Sequence, residues 1–161
     1  MKKKTFAVDI DGTITENGRG RIHLDALSAL RHLKNIGHNV IFVSGRSSVE
    51  GYLLSIFGGT TNIAVGENGG CITFGPNHHK LLGNKEKCID VFEFLKSKID
   101  NVVEKPVFPR LTEVVLERTF DIKLAKKLFQ KIILMPACQT TNTHFILTPV
   151  EYTRVVGLRR L

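Results

Sequence analysis

The amino-acid sequence predicts an α/β fold: a partial doubly wound parallel sheet with an α+β module inserted after it. Three observations predict it. Short apolar runs alternate with helix-period segments over residues 1–75, the first run ends in an acidic turn containing glycine, and the rhythm changes after about Pro76. Thr5 to Val8 is a β-prone run that stops at a loop. A helix follows: Leu24, Leu27, Leu30 and Leu33 recur at helical spacing, Asp25 complements the helix dipole in the first turn, and Gly37 supplies the stop. Asn39 to Val43 (NVIFV) is a second apolar strand that leads into Ser44, Gly45 and Arg46. Strand, helix and strand form a right-handed crossover with the strands parallel. A second helix is predicted over about Ser48–Phe57, closed by Gly58 and Gly59, then a third strand over Asn62–Val65 and a loop at Glu67–Gly70. This is the front half of a Rossmann-like domain.

Beyond Pro76, the residues Cys88, Phe92, Leu95 and Ile99 mark an amphipathic helix, and Glu113 to Leu116 a strand. Asp121 is the expected N-cap of a helix carrying Leu124, Ala125, Leu128 and Phe129 on one face, and strand-like segments follow at Ile132–Met135 and His144–Thr148. This stretch is too short and too unlike the first to continue the same sheet. The expected organisation is therefore a core front at 1–75, an α+β module at 76–148 and a return to the core at 149–161. His78 and His79 are expected in a loop.

Composition narrows the function. The chain has 161 residues, 42% hydrophobic and 24% charged, with no apolar run near the roughly 18 residues that span a bilayer. No secretory signal is visible, because Asp9 and Asp11 interrupt the apolar run that follows the basic start, so a cytoplasmic protein without membrane partners is expected. Cys71, Cys88 and Cys138 are odd in number and show no CxxC spacing, which predicts reduced, partly buried thiols. The net charge of +8 comes from dispersed basic residues without aromatic interleaving. That pattern argues against nucleic acid and favours a small anionic substrate.

The chemistry concentrates at Asp9, Ile10, Asp11, Gly12 and Thr13, directly after the first strand. Two carboxylates two residues apart can converge once Gly12 turns the chain. One ionised carboxylate can attack an electrophile while the other donates a proton to the leaving group and later takes one from water. Together they attract a hard cation such as Mg²⁺, which offsets the repulsion between a carboxylate and a phosphoryl group.

This string resembles the first motif, DxDGT, of the haloacid dehalogenase superfamily of phosphotransferases. The resemblance implies that Asp9 is the nucleophile forming an aspartyl phosphate, that Asp11 is the general acid and base, and that Asp9 and Asp11 together hold Mg²⁺, Asp11 through its main-chain carbonyl. It also implies that Ser44, with Gly45 beside it, binds a phosphoryl oxygen at the end of the second strand. Arg46 either helps hold the anion or lies on the surface. GENGG at Gly66–Gly70 resembles the approach to the α+β cap of sucrose-phosphate phosphatase-like and archaeal phosphoglycolate phosphatase-like members. In such enzymes the cap closes over the site and selects the substrate. Arg110 either grips a substrate anion or is a solvated charge. The lysine motif of the family corresponds here to YTRVVGL, which puts Arg154 in the lysine position. Arginine is cationic but planar and larger. The acidic GDGxND-like motif is not reached by Leu161, so the chain is expected to be C-terminally truncated, with its first strand as an open sheet edge available for homodimerisation.

The implied function is a Mg²⁺-dependent phosphatase acting on a small phosphorylated metabolite, a phosphoglycolate-like monoester. The alternatives are an inactive truncated protein with a binding role, and a phosphomutase.

Overall fold

The computed structural model describes residues 2–16, 20–130, 138–140 and 145–147. The chain divides into two compact units, Met1–Lys80 and Leu81–Leu161. No helix among the described residues is long and apolar enough to cross a membrane.

The first unit is built from β1 (Thr5–Val8), α1 (Leu24–Asn35), β2 (Asn39–Val43), α2 (Ser48–Gly58), β3 (Ala64–Gly66), β4 (Cys71–Gly75) and β5 (His78–Leu81), whose last residue passes the boundary. The sheet order is β1-β2-β3-β4-β5. β1 pairs parallel with β2, Val8 opposite Phe42, and β2 pairs parallel with β3, Val43 opposite Val65. The sheet turns antiparallel at β4, where Gly66 faces Cys71. In β2 the alternation is clean: Val40 and Phe42 are buried while their neighbours are half-buried. Ile10, Ile14 and Phe42 form a core cluster against which Leu27, Leu30 and Leu54 pack. Leu24, the first residue of α1, stays 76% exposed, and the later members of the predicted leucine stripe are only half-buried.

α2 begins with a capping box: Ser47 Oγ accepts from the Val49 amide and Glu50 Oε2 from the Ser47 amide, while Gly59 closes the helix in the left-handed region. The expected loop after β3 is a 3₁₀ turn at Glu67–Gly69 followed by a hairpin, β4 and β5 being joined by Pro76 and Asn77 alone. His78 and His79 therefore lie in a strand and not in a loop. The two-residue turn lets the short β-prone run Cys71 to Gly75 fold back at once. His79 Nδ1 lies 2.9 Å from the buried Thr73 hydroxyl, which donates to Ser48 Oγ at 2.8 Å.

The second unit comprises α3 (Lys85–Lys96), β6 (Val114–Leu116), α4 (Ile122–Gln130), β7 (Cys138–Thr140) and β8 (Phe145–Leu147). Its sheet runs β6-β8-β7 with both pairs antiparallel. α3 buries Cys88, Val91 and Leu95, at the spacing of one helix face. These meet Val114, Leu116 and the edge-to-face pair Phe120–Phe145, whose centroids are 5.4 Å apart. Asp121 Oδ1 accepts from the Lys123 and Leu124 amides at 2.8 and 3.0 Å, the cap the sequence predicts. Arg110 is not a solvated charge: Nη1 donates to the fully buried Glu113 at 2.6 Å, and its side chain is 11% exposed. The strand expected at Ile132–Met135 and the return to the core at 149–161 lie outside the described residues.

Cys71 and Cys88 are free and buried. Burial, helped by the negative charge of Glu113, pushes the Cys88 thiol up to about 12. The folded state thus favours the protonated thiol. Its contribution to stability is complete below the ordinary thiol value near 9 and is lost as pH climbs from there toward about 12. Iodoacetamide at about pH 8 should leave Cys88 unmodified in the native chain and label it in urea, as read by peptide mapping, because the thiolate is the nucleophile.

Candidate active site

Because β1, β2 and β3 are parallel, their C-terminal ends bring three loops to one edge of the sheet, the position where open α/β sheets bind ligands. The first loop holds Asp9 and Asp11. Ile10 between them is 3% exposed and belongs to the core, so the alternation that buries it turns both carboxylates outward. Gly12 takes φ +76°, which a residue with a Cβ rarely adopts. The Ile10 carbonyl accepts from the amides of Ile14 and Thr15, both at 3.1 Å, and from the Thr15 hydroxyl at 3.1 Å. These bonds fix the turn. Asp9 Oδ1 accepts from the Ile10 amide at 2.9 Å.

The second loop holds Ser44, Gly45 and Arg46. Ser44 is buried, donates its amide to the Val65 carbonyl at 2.9 Å, and accepts from the Arg46 amide through Oγ at 3.1 Å. Arg46 makes a fork on Asp11: Nε donates to Oδ2 at 2.9 Å and Nη2 to Oδ1 at 2.8 Å. Its Nη1 donates to Glu50 Oε1 at 3.2 Å. The hydrogen bonds to Asp11 are the chief cause that holds the Arg46 proton more tightly than usual. Asp11 and Arg46, 35 positions apart, are thus joined by a bidentate ion pair, a pairing that neither sequence reading of Arg46 contained.

The third loop supports the second. The Glu67 amide donates to the Arg46 carbonyl at 2.7 Å, and Glu67 and Asn68 both have φ of +55°. A Cβ on Gly45 would lie 3.0 Å from Asn68 Oδ1, so the carboxamide sits against the Ser44–Gly45 turn. Sequence reasoning passed over Asn68, although the GENGG string held the signal: asparagine before glycine tolerates the left-handed region.

Arg154 lies outside the described residues. Among the described residues no group of three or more His, Cys, Asp or Glu side chains is arranged to hold a metal. The exposed Asp9 carboxylate, with the Asp11 main-chain carbonyl as a second oxygen donor, nevertheless fits Mg²⁺, which commonly takes one or two carboxylates from the protein and completes its shell with water and substrate phosphate.

Comparison with known proteins identifies the family and the fold. Residues 6–108 match the haloacid dehalogenase-like hydrolase family. The chain is 67% identical over 131 residues to a phosphoglycolate phosphatase of Nitrosopumilus maritimus, covering 81% of this chain and 57% of the relative. It is 35% identical over 132 residues to one of Archaeoglobus fulgidus, covering 81% and 56%. The chain spans little more than half the length of these curated relatives. Among solved structures, a Thermoplasma acidophilum protein superimposes with a TM-score of 0.76 at 19% identity, over 95% of this chain and 67% of that one. The C-terminal domain of Candida albicans trehalose-6-phosphate phosphatase gives 0.62 at 16% identity, over 92% and 57%. The acidic DIDGT turn at the sheet edge, the serine turn facing it and the match over residues 6–108 place this chain in the haloacid dehalogenase-like hydrolase family.

Proposed function

We propose that this chain carries the nucleophile and phosphoryl-binding half of a Mg²⁺-dependent phosphatase that hydrolyses a small phosphate monoester in the cytoplasm. The observation that carries the reading is the pairing of the Asp9–Asp11 turn with the Ser44–Arg46 turn at one sheet edge. The names of the archaeal relatives support phosphoglycolate as the substrate.

In this reading an Asp9 carboxylate oxygen attacks phosphorus and the ester P–O bond breaks. Asp11 gives its proton to the departing alkoxide. Asp11 then takes a proton from water, whose oxygen attacks the aspartyl phosphate, and Asp9 and inorganic phosphate are restored. The Ser44 hydroxyl and the Gly45 amide hold phosphoryl oxygens, and Arg154 adds a cation. Mg²⁺, held by Asp9 and Asp11, would neutralise phosphoryl charge. β1, at the sheet edge, is where a second copy would pair.

Arg46 positions Asp11. Lysine keeps the charge but cannot hold both carboxylate oxygens. Arg46→Lys should therefore lower kcat about tenfold, equivalent to ~1.4 kcal/mol, and change KM little. Phosphate release from phosphoglycolate by the 161-residue chain, with Mg²⁺ and with EDTA, tests the reading. Release that requires Mg²⁺ supports it, and none from a folded chain overturns it for this chain.

A further inference from the structure

The second unit carries a cleft lined by none of the residues to which the phosphoryl chemistry is assigned. Residues 104–110 and the first residue of α3 line an open cleft of about 470 Å³, formed by Lys85, Glu104, Lys105, Val107, Phe108 and Arg110 together with two prolines. That volume falls within the roughly 300–1,000 Å³ range of small-molecule sites. Three cations face one carboxylate there. Glu113 pairs with Arg110 from outside the lining.

The cleft is held in shape before any ligand arrives. The Lys105 amide donates to the Val115 carbonyl at 2.8 Å, and the Glu117 amide to the Val103 carbonyl at 3.0 Å, which ties the start of the segment to β6. Lys85 Nζ donates to the Arg110 carbonyl at 2.8 Å, which ties its end to α3. Pro106 and Pro109 fix two backbone torsions between these anchors. A preordered wall loses little entropy on binding. Phe108 is 63% exposed and Val107 38%, so the cleft presents apolar surface beside its cations.

We propose that this cleft is a binding site for a small organic anion: a carboxylate or phosphoryl group held by Lys85 and Lys105, on an apolar or ring-bearing body that Phe108 and Val107 cover. A bare anion would leave those side chains wet and is bound more weakly. The site rests on the second unit alone and needs neither Asp9 nor Asp11.

The test is an amide chemical-shift titration of the full chain with phenylphosphonate, which offers a phosphoryl anion on a ring without a hydrolysable ester, alongside benzoate and inorganic phosphate. Saturating shifts at Glu104, Lys105, Val107, Phe108 and Arg110 are expected, with phenylphosphonate and benzoate binding tighter than phosphate. The double variant Lys85→Gln/Lys105→Gln should weaken binding at least about tenfold, and Glu104→Gln should tighten it about two- to threefold, a gain that loss of folding cannot imitate. No saturable shift at these residues up to about 20 mM, or the same affinity in the double variant, overturns the site. Shifts confined to Ser44 and Gly45 would overturn it while leaving the proposed phosphatase chemistry standing. Cleft binding without phosphate release would do the reverse.

Discussion

Asp9→Asn is expected to lower Mg²⁺-dependent phosphate release from phosphoglycolate by about a thousandfold or more, equivalent to at least ~4 kcal/mol of transition-state stabilisation. A carboxamide has no anionic oxygen to form the acyl phosphate and no charge to offer a cation. The fold should not change. Asp9 is exposed, and its one described hydrogen bond, Oδ1 accepting from the Ile10 amide, is one that an asparagine oxygen makes equally well. Circular dichroism and the urea midpoint should therefore match those of the parent chain. Lost activity with intact folding separates a chemical role for Asp9 from a part in shaping the turn.

Gly66→Ala is expected to act through structure. The Gly66 backbone, at φ −122° and ψ −176°, is open to any residue, so conformational freedom is not why glycine stands there. Space is the reason. A Cβ at this position would overlap the Ser48 amide nitrogen and Cα and lie 2.8 Å from the Arg46 carbonyl oxygen, and all three are main-chain atoms that cannot swing aside. Either β3 or the start of α2 must move, at a cost of roughly 3 kcal/mol or more. Urea unfolding should show that loss. The Ser44–Arg46 turn hangs on the same contact through the Glu67 amide, so Arg46 should also lose its fork on Asp11. A variant as stable as the parent would mean that β3 and α2 approach less closely than described.

What was legible in the sequence was what local chemistry dictates. Thr5–Val8 and Asn39–Val43 are strands with the predicted limits because each apolar run is bounded by polar or glycine residues. The DIDGT turn was legible because its glycine, its alternation and its carboxylates all lie within five residues. Pairings set by tertiary structure were not. Nothing in the sequence joins Arg46 to Asp11; only the parallel pairing of β1 and β2 does. Arg110 reads as a surface charge until Glu113, three residues on, is found buried beneath it. The hairpin of β4 and β5 was missed because its turn is two residues long and its strands look like the edges of a loop. Leu24 shows the limit of periodicity, since a residue can fit the stripe and still lie beyond the surface the helix covers.

The proposed chemistry turns on phosphorylation of Asp9. The most direct measurement quenches the chain during turnover of phosphoglycolate with Mg²⁺, reduces it with borohydride, which converts an aspartyl phosphate to homoserine, and maps the peptides by mass spectrometry. Homoserine at position 9, absent without substrate and absent in Asp9→Asn, is the expected result. Phosphate release with homoserine at another carboxylate, or with none at position 9, would contradict the account.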